Sequence, residues 1–405
     1  LTLSLKTYEK EEQKMLPNYY QFYCPVKILS GQQAVSNIPF EMELLGCKKA
    51  MVVTDKGVVD AGLIDIVKAA FADSDREIGY IFDEVPPDSS NRVVNRLAEL
   101  FEKEGCDCFI AVGGGSSMDT AKGADIMISE GSDDLLKVQG VENITHDLKP
   151  LIAVPTTAGT GSEVTKAAVV YNEEKNIKML FVADKLYPSV AVVDPRMTAT
   201  LPPKITAATG MDALTHAIEA YTCLQKNPID DMFAKAAIDL IRRYLVRATE
   251  NSKDKEARMG MANAALLAGI AFSNSQVGMV HSLAHGCGGV SRVPHGVANG
   301  ILLPWVLEYN LDEVPEYIAE ISGVLGGSGE YLEPKDQAKV TISLVRNLLT
   351  RLNQISGLPT RLRDAGVTED KLPAIAKAAI NDGAHTYNPK DLTYEVALET
   401  LKKAF

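Results

Sequence analysis

The chain has 405 residues, of which 46% are hydrophobic and 23% charged, with a formal net charge of −12. That length exceeds one ordinary core and predicts two domains; the composition is that of a soluble globular protein, and the negative balance speaks against nucleic acid or an anionic membrane as a partner. Cys24, Cys47, Cys106, Cys108, Cys223 and Cys287 follow no disulfide or zinc framework and fit a reducing cytosol.

Residues 1–14 are charged and lack the apolar stretch of a secretion signal. The longest clearly apolar run, 264–272, is far short of the ~18 residues of a membrane span, so a cytoplasmic location without membrane contact is expected. Short apolar runs then alternate with helical segments. A strand at 50–54 ends on Asp55 and leads into a helix at 61–71, and a strand at 78–82 precedes a helix at about 91–104. A third strand, 108–112, runs into a helix from near Ser117, and 151–154 and 190–193 add two more strands. Cys106 and Cys108 point the same way beside the third strand and read as packing. This alternation predicts a parallel sheet covered on both faces, with binding sites at the carboxyl ends of its strands.

Two loops at such ends suit a dinucleotide. Gly113-Gly114-Gly115-Ser116-Ser117-Met118-Asp119 follows the third strand. Its glycines allow close backbone approach, and the helix after it offers free N–H groups to a pyrophosphate. It matches neither the P-loop nor the spaced-glycine fingerprint, and a plain tight turn is the alternative. Pro155-Thr156-Thr157-Ala158-Gly159-Thr160-Gly161-Ser162-Glu163 follows the fourth strand; its hydroxyls suit a ribose, a phosphate or a nicotinamide amide, or else a helix cap. Asp55 could accept bonds from ribose hydroxyls or cap the turn that follows.

The texture changes near residue 198, where Leu201-Pro202-Pro203 punctuates the chain. Apolar residues at helical spacing fill 230–250, 255–272, 335–353, 369–381 and 392–403. The expected division is an α/β dinucleotide-binding domain over 1–197 and an all-helical metal-binding domain over 198–405. Long helical faces leave homo-oligomer formation open.

Four of the six histidines fall in three short motifs of the second half: Gly210-Met211-Asp212-Ala213-Leu214-Thr215-His216, His281-Ser282-Leu283-Ala284-His285 and Pro294-His295-Gly296. Asp212 and His216 are four apart in the proline-free segment 207–222, so they share one helix face, one turn apart. His281 and His285 repeat the step. A single Asp–His pair is often only a local hydrogen bond, but four histidines gathered in this way point to a metal ion. No cysteine pairs mark a structural zinc site, so a catalytic site with an open position is expected. Spacing leaves His281 and His285 equally good as ligands.

Together, Val53-Thr54-Asp55, the Gly113–Ser116 loop, the 155–163 loop and the three histidine motifs resemble the iron-dependent (group III) alcohol dehydrogenases, over nearly the whole chain and in consistent order. The resemblance implies a dehydroquinate synthase-like fold with the active site in the cleft between domains. It implies a divalent metal, usually Fe2+ although Zn2+ would suit the same donors, held by Asp212, His216, His281 and His295. His285 becomes a neighbour that contacts substrate or relays a proton, and Phe272 faces the substrate pocket. Asp55, Gly113, Gly114, Gly115, Ser116, Asp119, Thr156, Thr157, Thr160 and Lys178 would line the cofactor. NAD is expected over NADP, because a carboxylate at Asp55 repels a ribose phosphate. Many members carry Pro-Asn-Pro-Thr where this chain has Pro86-Pro87-Asp88-Ser89-Ser90, which bears on the adenosine side.

The reaction implied is hydride transfer between NAD(P) and small primary alcohols or diols and their aldehydes. Dehydroquinate synthases and glycerol phosphate dehydrogenases of the same fold would need several cations near the metal motifs, where only Arg292 lies close in sequence. A helical metal-dependent phosphohydrolase would want an adjacent His–Asp pair among its ligands, and the only one, His146-Asp147, lies in a distant polar loop.

Overall fold

Short apolar runs in the first half build a sheet whose strand ends gather the two polar loops. The computed structural model describes residues 17–328 and 332–405; the charged stretch 1–14 lies outside them. The strands among these residues are β1 (Lys27–Ser30), β2 (Lys49–Val53), β3 (Glu77–Phe82), β4 (Cys108–Gly113), β5 (Gly140–Val141), β6 (Leu151–Pro155), β7 (Ala167–Asn172), β8 (Ile177–Val182) and β9 (Val190–Val193). Six of them form one parallel sheet in the order β1-β9-β6-β4-β2-β3.

Every residue of β4, β6 and β9 is buried, as expected where helices cover both faces. The helices interleaved with these strands are α1 (Ile38–Leu44), α2 (Lys56–Asp60), α3 (Leu63–Ala70), α4 (Asn91–Glu104) and α5 (Gly115–Glu130). Successive strand residues enter opposite cores. Met51, Val53, Phe109 and Ala111 pack with Leu97 and Phe101 of α4 and Met118 and Ala121 of α5. Ala50, Val52, Cys108 and Ile110 pack with Ile38 and Met42 of α1 and Ile64 and Val67 of α3. From β2 the chain moves out to β3 and returns on the other side of β2 as β4. Sheets of this kind bind ligands at such a reversal, outside the carboxyl ends.

Some elements differ from the sequence expectation. The helix expected over 61–71 is α3, set off from α2 by Gly62 at φ +74°. The helix after β4 begins at Gly115, two residues earlier than expected, because Gly114 has extended backbone and can act as the N-cap. The edge strand β1 and the small sheet β5-β8-β7, whose β7 and β8 form an antiparallel hairpin, carried no signal that was read.

The second half is helical: α6 (Pro203–Thr222), α7 (Pro228–Glu250), α8 (Lys255–Ser275), α9 (Met279–Ser291), α10 (His295–Asn310), α11 (Pro315–Val324), α12 (Pro334–Ser356), α13 (Leu372–Ala379) and α14 (Tyr394–Ala404). Helices α6, α7, α11 and α12 each begin on a proline, whose fixed φ and missing N–H suit a first helical position. Of the expected helix 369–381, residues 369–371 form a 3-10 turn and only α13 is α-helical. No helix among the described residues is long and apolar enough to cross a membrane.

The chain forms two compact units. One comprises Cys24–Thr209 and Arg243–Gly269 and contains both sheets; the other comprises Gly210–Arg242 and Ile270–Phe405 together with 17–23, less 329–331.

Candidate metal centre and cofactor loops

Asp212, His216, His281 and His295 offer ligand atoms that all lie within 4.8 Å of one another. All four belong to the helical unit. Helix α6 supplies Asp212 and His216 one turn apart, α9 supplies His281 near its start, and α10 begins on His295 itself. Arg292, with φ +57°, turns the chain between α9 and α10. The imidazole centroids of His216 and His281 are 4.5 Å apart, and those of His281 and His295 are 5.3 Å apart.

The donor chemistry fits a divalent ion. Burial, with the neighbouring His216 ring adding to it, drives the His281 imidazole well below the ordinary histidine range. Burial, against the pull of Asp212 and with help from the neighbouring imidazoles, drives His295 down to about 3. Both rings are therefore neutral and have lone pairs to give. Burial works to raise the Asp212 carboxyl, but His216, His295, His281 and the Asn299 amide outweigh it and hold the group below its usual value. Three imidazoles around one carboxylate suit iron, zinc and other first-row ions alike.

These side chains are themselves held. Glu219 follows His216 by three residues on α6 and is buried. Its carboxylate accepts the Gly278 N–H at 2.9 Å, the Val280 N–H at 2.7 Å and lies 2.5 Å from Nδ1 of His281. Burial raises the Glu219 carboxyl to about 7. A hydrogen on Nδ1 of His281 leaves Nε2 to face the other ligands, the arrangement by which outer carboxylates orient metal-binding imidazoles.

His285 stands beside the cluster, not within it. Its ring stacks on His295 at 5.3 Å, and its Nδ1 lies 2.8 Å from Asp382 Oδ2. Asp382 also accepts from Ser282 Oγ at 3.1 Å and from the Ala384 N–H at 2.9 Å. Although burial opposes it, His285 holds the Asp382 carboxyl far below the ordinary range. Phe272 on α8 stacks on His216, with centroids 4.2 Å apart and planes 16° from parallel.

The cofactor-loop residues lie in the sheet unit. Asp55, Gly113 and Thr156 stand at the carboxyl ends of β2, β4 and β6, three neighbouring strands. Asp55 caps α2, its Oδ1 accepting the Val58 N–H at 3.0 Å. At Gly113 an added Cβ would lie 2.2 Å from Ser117 Oγ, so the strand-to-helix turn requires glycine there. Gly114 and Gly115 border Thr157 and Thr160 of the second loop. Ser116 Oγ donates to the Pro87 carbonyl, and Thr120 Oγ1 to Ser89 Oγ at 2.8 Å, so the segment that departs from the family pattern packs on this loop. Lys178 on β8 lies 3.5 Å from Asp88 in that same segment.

The second loop is fastened from beneath. Lys122 of α5 is buried and its ammonium donates to the carbonyls of Ser162 at 3.0 Å, Thr165 at 2.8 Å and Ala167 at 3.0 Å. Burial lowers Lys122 to about 8, with Asp119 and Glu163 opposing. Asp119 accepts from Ser162 Oγ at 3.4 Å and the Val169 N–H at 3.2 Å, and burial raises it to about 6.

Glu219, Asn299 and Asp382 escaped the sequence reading. Glu219 lies seven residues after Asp212 and Asn299 four after His295, so helical phase could have found both; Asp382, distant in sequence, had no local signal. Outside this centre, Cys47, Asp107 and Cys108 also converge, but Asp107 spends its oxygens on the N–H groups of Lys48 and Lys49.

Models of two protein families match almost the whole chain: one described as iron-containing alcohol dehydrogenase over residues 25–195, the other as the C-terminal part of the Fe-containing alcohol dehydrogenase family over 206–405. A 1,3-propanediol dehydrogenase of Citrobacter freundii is 39% identical over 388 residues, covering 95% of this chain and 99% of that protein. An NAD-dependent methanol dehydrogenase of Bacillus methanolicus is 36% identical over 383 residues, with 95% and 99% covered. The crystal structure of a 1,3-propanediol oxidoreductase superposes with a TM-score of 0.92 at 39% identity, over 96% of this chain and 100% of the other. The fold is the dehydroquinate synthase-like one, a parallel α/β domain followed by helices.

Proposed function

Since this chain belongs to the iron-containing alcohol dehydrogenase family, we propose that it passes a hydride between NAD and small primary alcohols or diols and their aldehydes, with Fe(II) at its helical centre. The observation that carries this reading is the convergence of Asp212, His216, His281 and His295 on one point. A divalent ion held by these four residues would stabilise alkoxide charge and polarise a carbonyl, and bound NAD would supply the hydride chemistry.

The chain's own residues bind, orient and move protons. Asp212 brings the one charge among the four donors, and Glu219 keeps Nε2 of His281 free to bind. Phe272 covers His216 and offers an apolar wall to a short carbon chain. Asp382 takes the Nδ1 hydrogen of His285, which leaves Nε2 of that ring able to receive the alcohol proton. We assign Gly113, Gly114, Gly115 and Ser116, at the start of α5, to the pyrophosphate. Asp55 is assigned to the adenosine ribose, Thr156, Thr157 and Thr160 to the nicotinamide half, and Asp119 and Lys178 to the flanks of the cofactor. In this reading residues 1–197 serve the dinucleotide and 198–405 the metal and substrate.

The test is an absorbance assay for NADH across a panel containing methanol, 1,3-propanediol and phosphorylated polyols, run anaerobically with Fe(II) or Zn(II) and repeated with NADP. Unphosphorylated alcohols with NAD and Fe(II) should turn over fastest. Turnover confined to phosphorylated polyols would reject the substrate class, and full activity of an aerated zinc-only preparation would reject iron.

A further inference from the structure

Helix α1 ends in a turn that buries a thiol. Gly46 takes φ +74°, its N–H donates to the Glu43 carbonyl at 3.0 Å, and the Cys47 N–H donates to the Met42 carbonyl at 2.8 Å, the double bond of a Schellman motif. Cys47 is 3% exposed, yet Gly46 and Lys48 on either side of it face solvent. Asp107 fastens the next two residues by accepting the Lys48 N–H at 2.8 Å and the Lys49 N–H at 3.0 Å, which draws the turn onto the start of β4. There Cys108, completely buried, enters the same core as Cys47, and the two sulfurs lie within 4.8 Å of each other. Cys106, expected to point the same way as Cys108, enters the opposite core. Packing alone would accept any small apolar side chain at either position and does not require a second thiol facing the first.

The pair is also electrically prepared. The Cys108 thiol lowers that of Cys47 against burial and Asp107, with the Arg76 guanidinium helping. The same contact, together with burial, pushes Cys108 up. One proton therefore leaves readily, and the second leaves when a cation takes its place. Arg76 Nη1 donates to the Cys47 carbonyl at 3.2 Å, so a positive charge already stands beside the sulfurs.

We propose that Cys47 and Cys108 form a thiolate site in the sheet unit for a soft ion of low coordination number, Cu(I). Binding joins Cu(I) to both sulfurs and releases the two thiol protons, with no change of oxidation state. Two metal–thiolate bonds of about 2.3 Å, laid end to end, match the reach between the sulfurs. Thiolates favour Cu(I) and zinc. Zinc takes four donors, and the one further donor of this group, Asp107, is engaged on the turn.

The test uses protein whose helical centre has first been filled with Zn(II), kept reduced and anaerobic. Cu(I) is added in competition with the chelator bathocuproine disulfonate, and the near-ultraviolet thiolate-to-copper band is recorded. Wild-type protein should draw a single Cu(I) per chain from the chelator and show the band. Cys47→Ser and Cys108→Ser should each lose the band and leave the ion with the chelator, while alcohol-dependent NADH formation is unchanged. Cys106→Ser should keep the band, since its sulfur belongs to the other core. Wild-type protein that takes no Cu(I), a band that survives in Cys47→Ser, or a band that disappears in Cys106→Ser overturns the proposal. If Cys108→Ser does not fold, Cys47→Ser, at a turn next to solvent, decides alone.

Discussion

Glu219→Gln keeps the shape of a buried side chain while removing its charge and one of its acceptor oxygens. The native carboxylate meets three N–H groups, at 2.9 Å from Gly278, 2.7 Å from Val280 and 2.5 Å from His281 Nδ1. A glutamine must present its NH2 to at least one of these positions. If it faces the backbone, the start of α9 loses an acceptor; if it faces His281, the ring must carry its hydrogen on Nε2, which closes that atom to a metal. Either way one buried group is left unsatisfied, at a cost of about 1–3 kcal/mol. Expressed at the metal, that is roughly 5–150-fold in affinity, since ~1.4 kcal/mol is tenfold; measured losses from such outer partners are about 10–100-fold. Glu219→Leu would strand all three donors at about 3–9 kcal/mol, as much as a typical domain's whole stability of about 5–15 kcal/mol, so the glutamine is the informative variant. Competition of metal-free protein against a chromophoric chelator gives the affinity, and thermal melts of the metal-free form give the stability. Affinity and Tm both indistinguishable from wild type would refute the orienting role of Glu219.

Three further outcomes are expected. His281→Ala should abolish alcohol oxidation and metal retention together, whereas His285→Ala should keep the metal and turn over more slowly; equal metal loss by elemental analysis would mean the ligands are misassigned. Asp55→Gly should raise kcat/KM with NADP and lower it with NAD by relieving like-charge repulsion, with only a few tenths of a kcal/mol lost at the α2 cap; an unmoved ratio would leave Asp55 as a cap alone. Asp125 is buried in α5, and burial raises its carboxyl to about 7 from the ordinary 3.8. A raised folded value means the native state holds the proton longer, so the stability this group contributes is complete below about pH 4 and is lost as pH rises to about 7. Asp125→Asn should therefore gain on wild type in denaturant midpoints between pH 4 and pH 8, and parallel pH profiles would contradict this.

Much of the architecture was legible because its signals are local. Strands β4, β6 and β9, and β2 after Lys49, are unbroken apolar runs, and burial on both faces writes them so. Asp212 and His216 declared themselves by helical phase. The β7–β8 hairpin was harder to see: exposed residues alternate through Ile177–Val182, and its reversal at 173–176 is marked by Asn176 at φ +55° and not by glycine. The choice between His281 and His285 could not come from spacing. What separates them is position: His281 and not His285 brings a ligand atom within 4.8 Å of Asp212, His216 and His295, while Glu219 and Asp382 hold the two rings across 62 and 97 residues of chain. Asn299 lies within helical phase of His295, yet an asparagine on an apolar helix face gives no sign of what its amide meets.

Lys122 has a consequence beyond its three carbonyl bonds. Fixing a loop residue costs about 1–2 kcal/mol of conformational entropy, and a loop that orders only around its ligand subtracts that sum from affinity. Here the ordering is completed during folding, by an ammonium that meets 162–167 from inside the protein. If Thr156 and Thr157 hold the dinucleotide as proposed, it would find a preorganised surface and bind without waiting for the loop to settle. An arginine could not substitute, since its planar fork directs hydrogens in one plane while the carbonyls of Ser162, Thr165 and Ala167 converge on a single nitrogen. Changes that loosen α5 around Lys122 would slow cofactor association well before the sheet gave way.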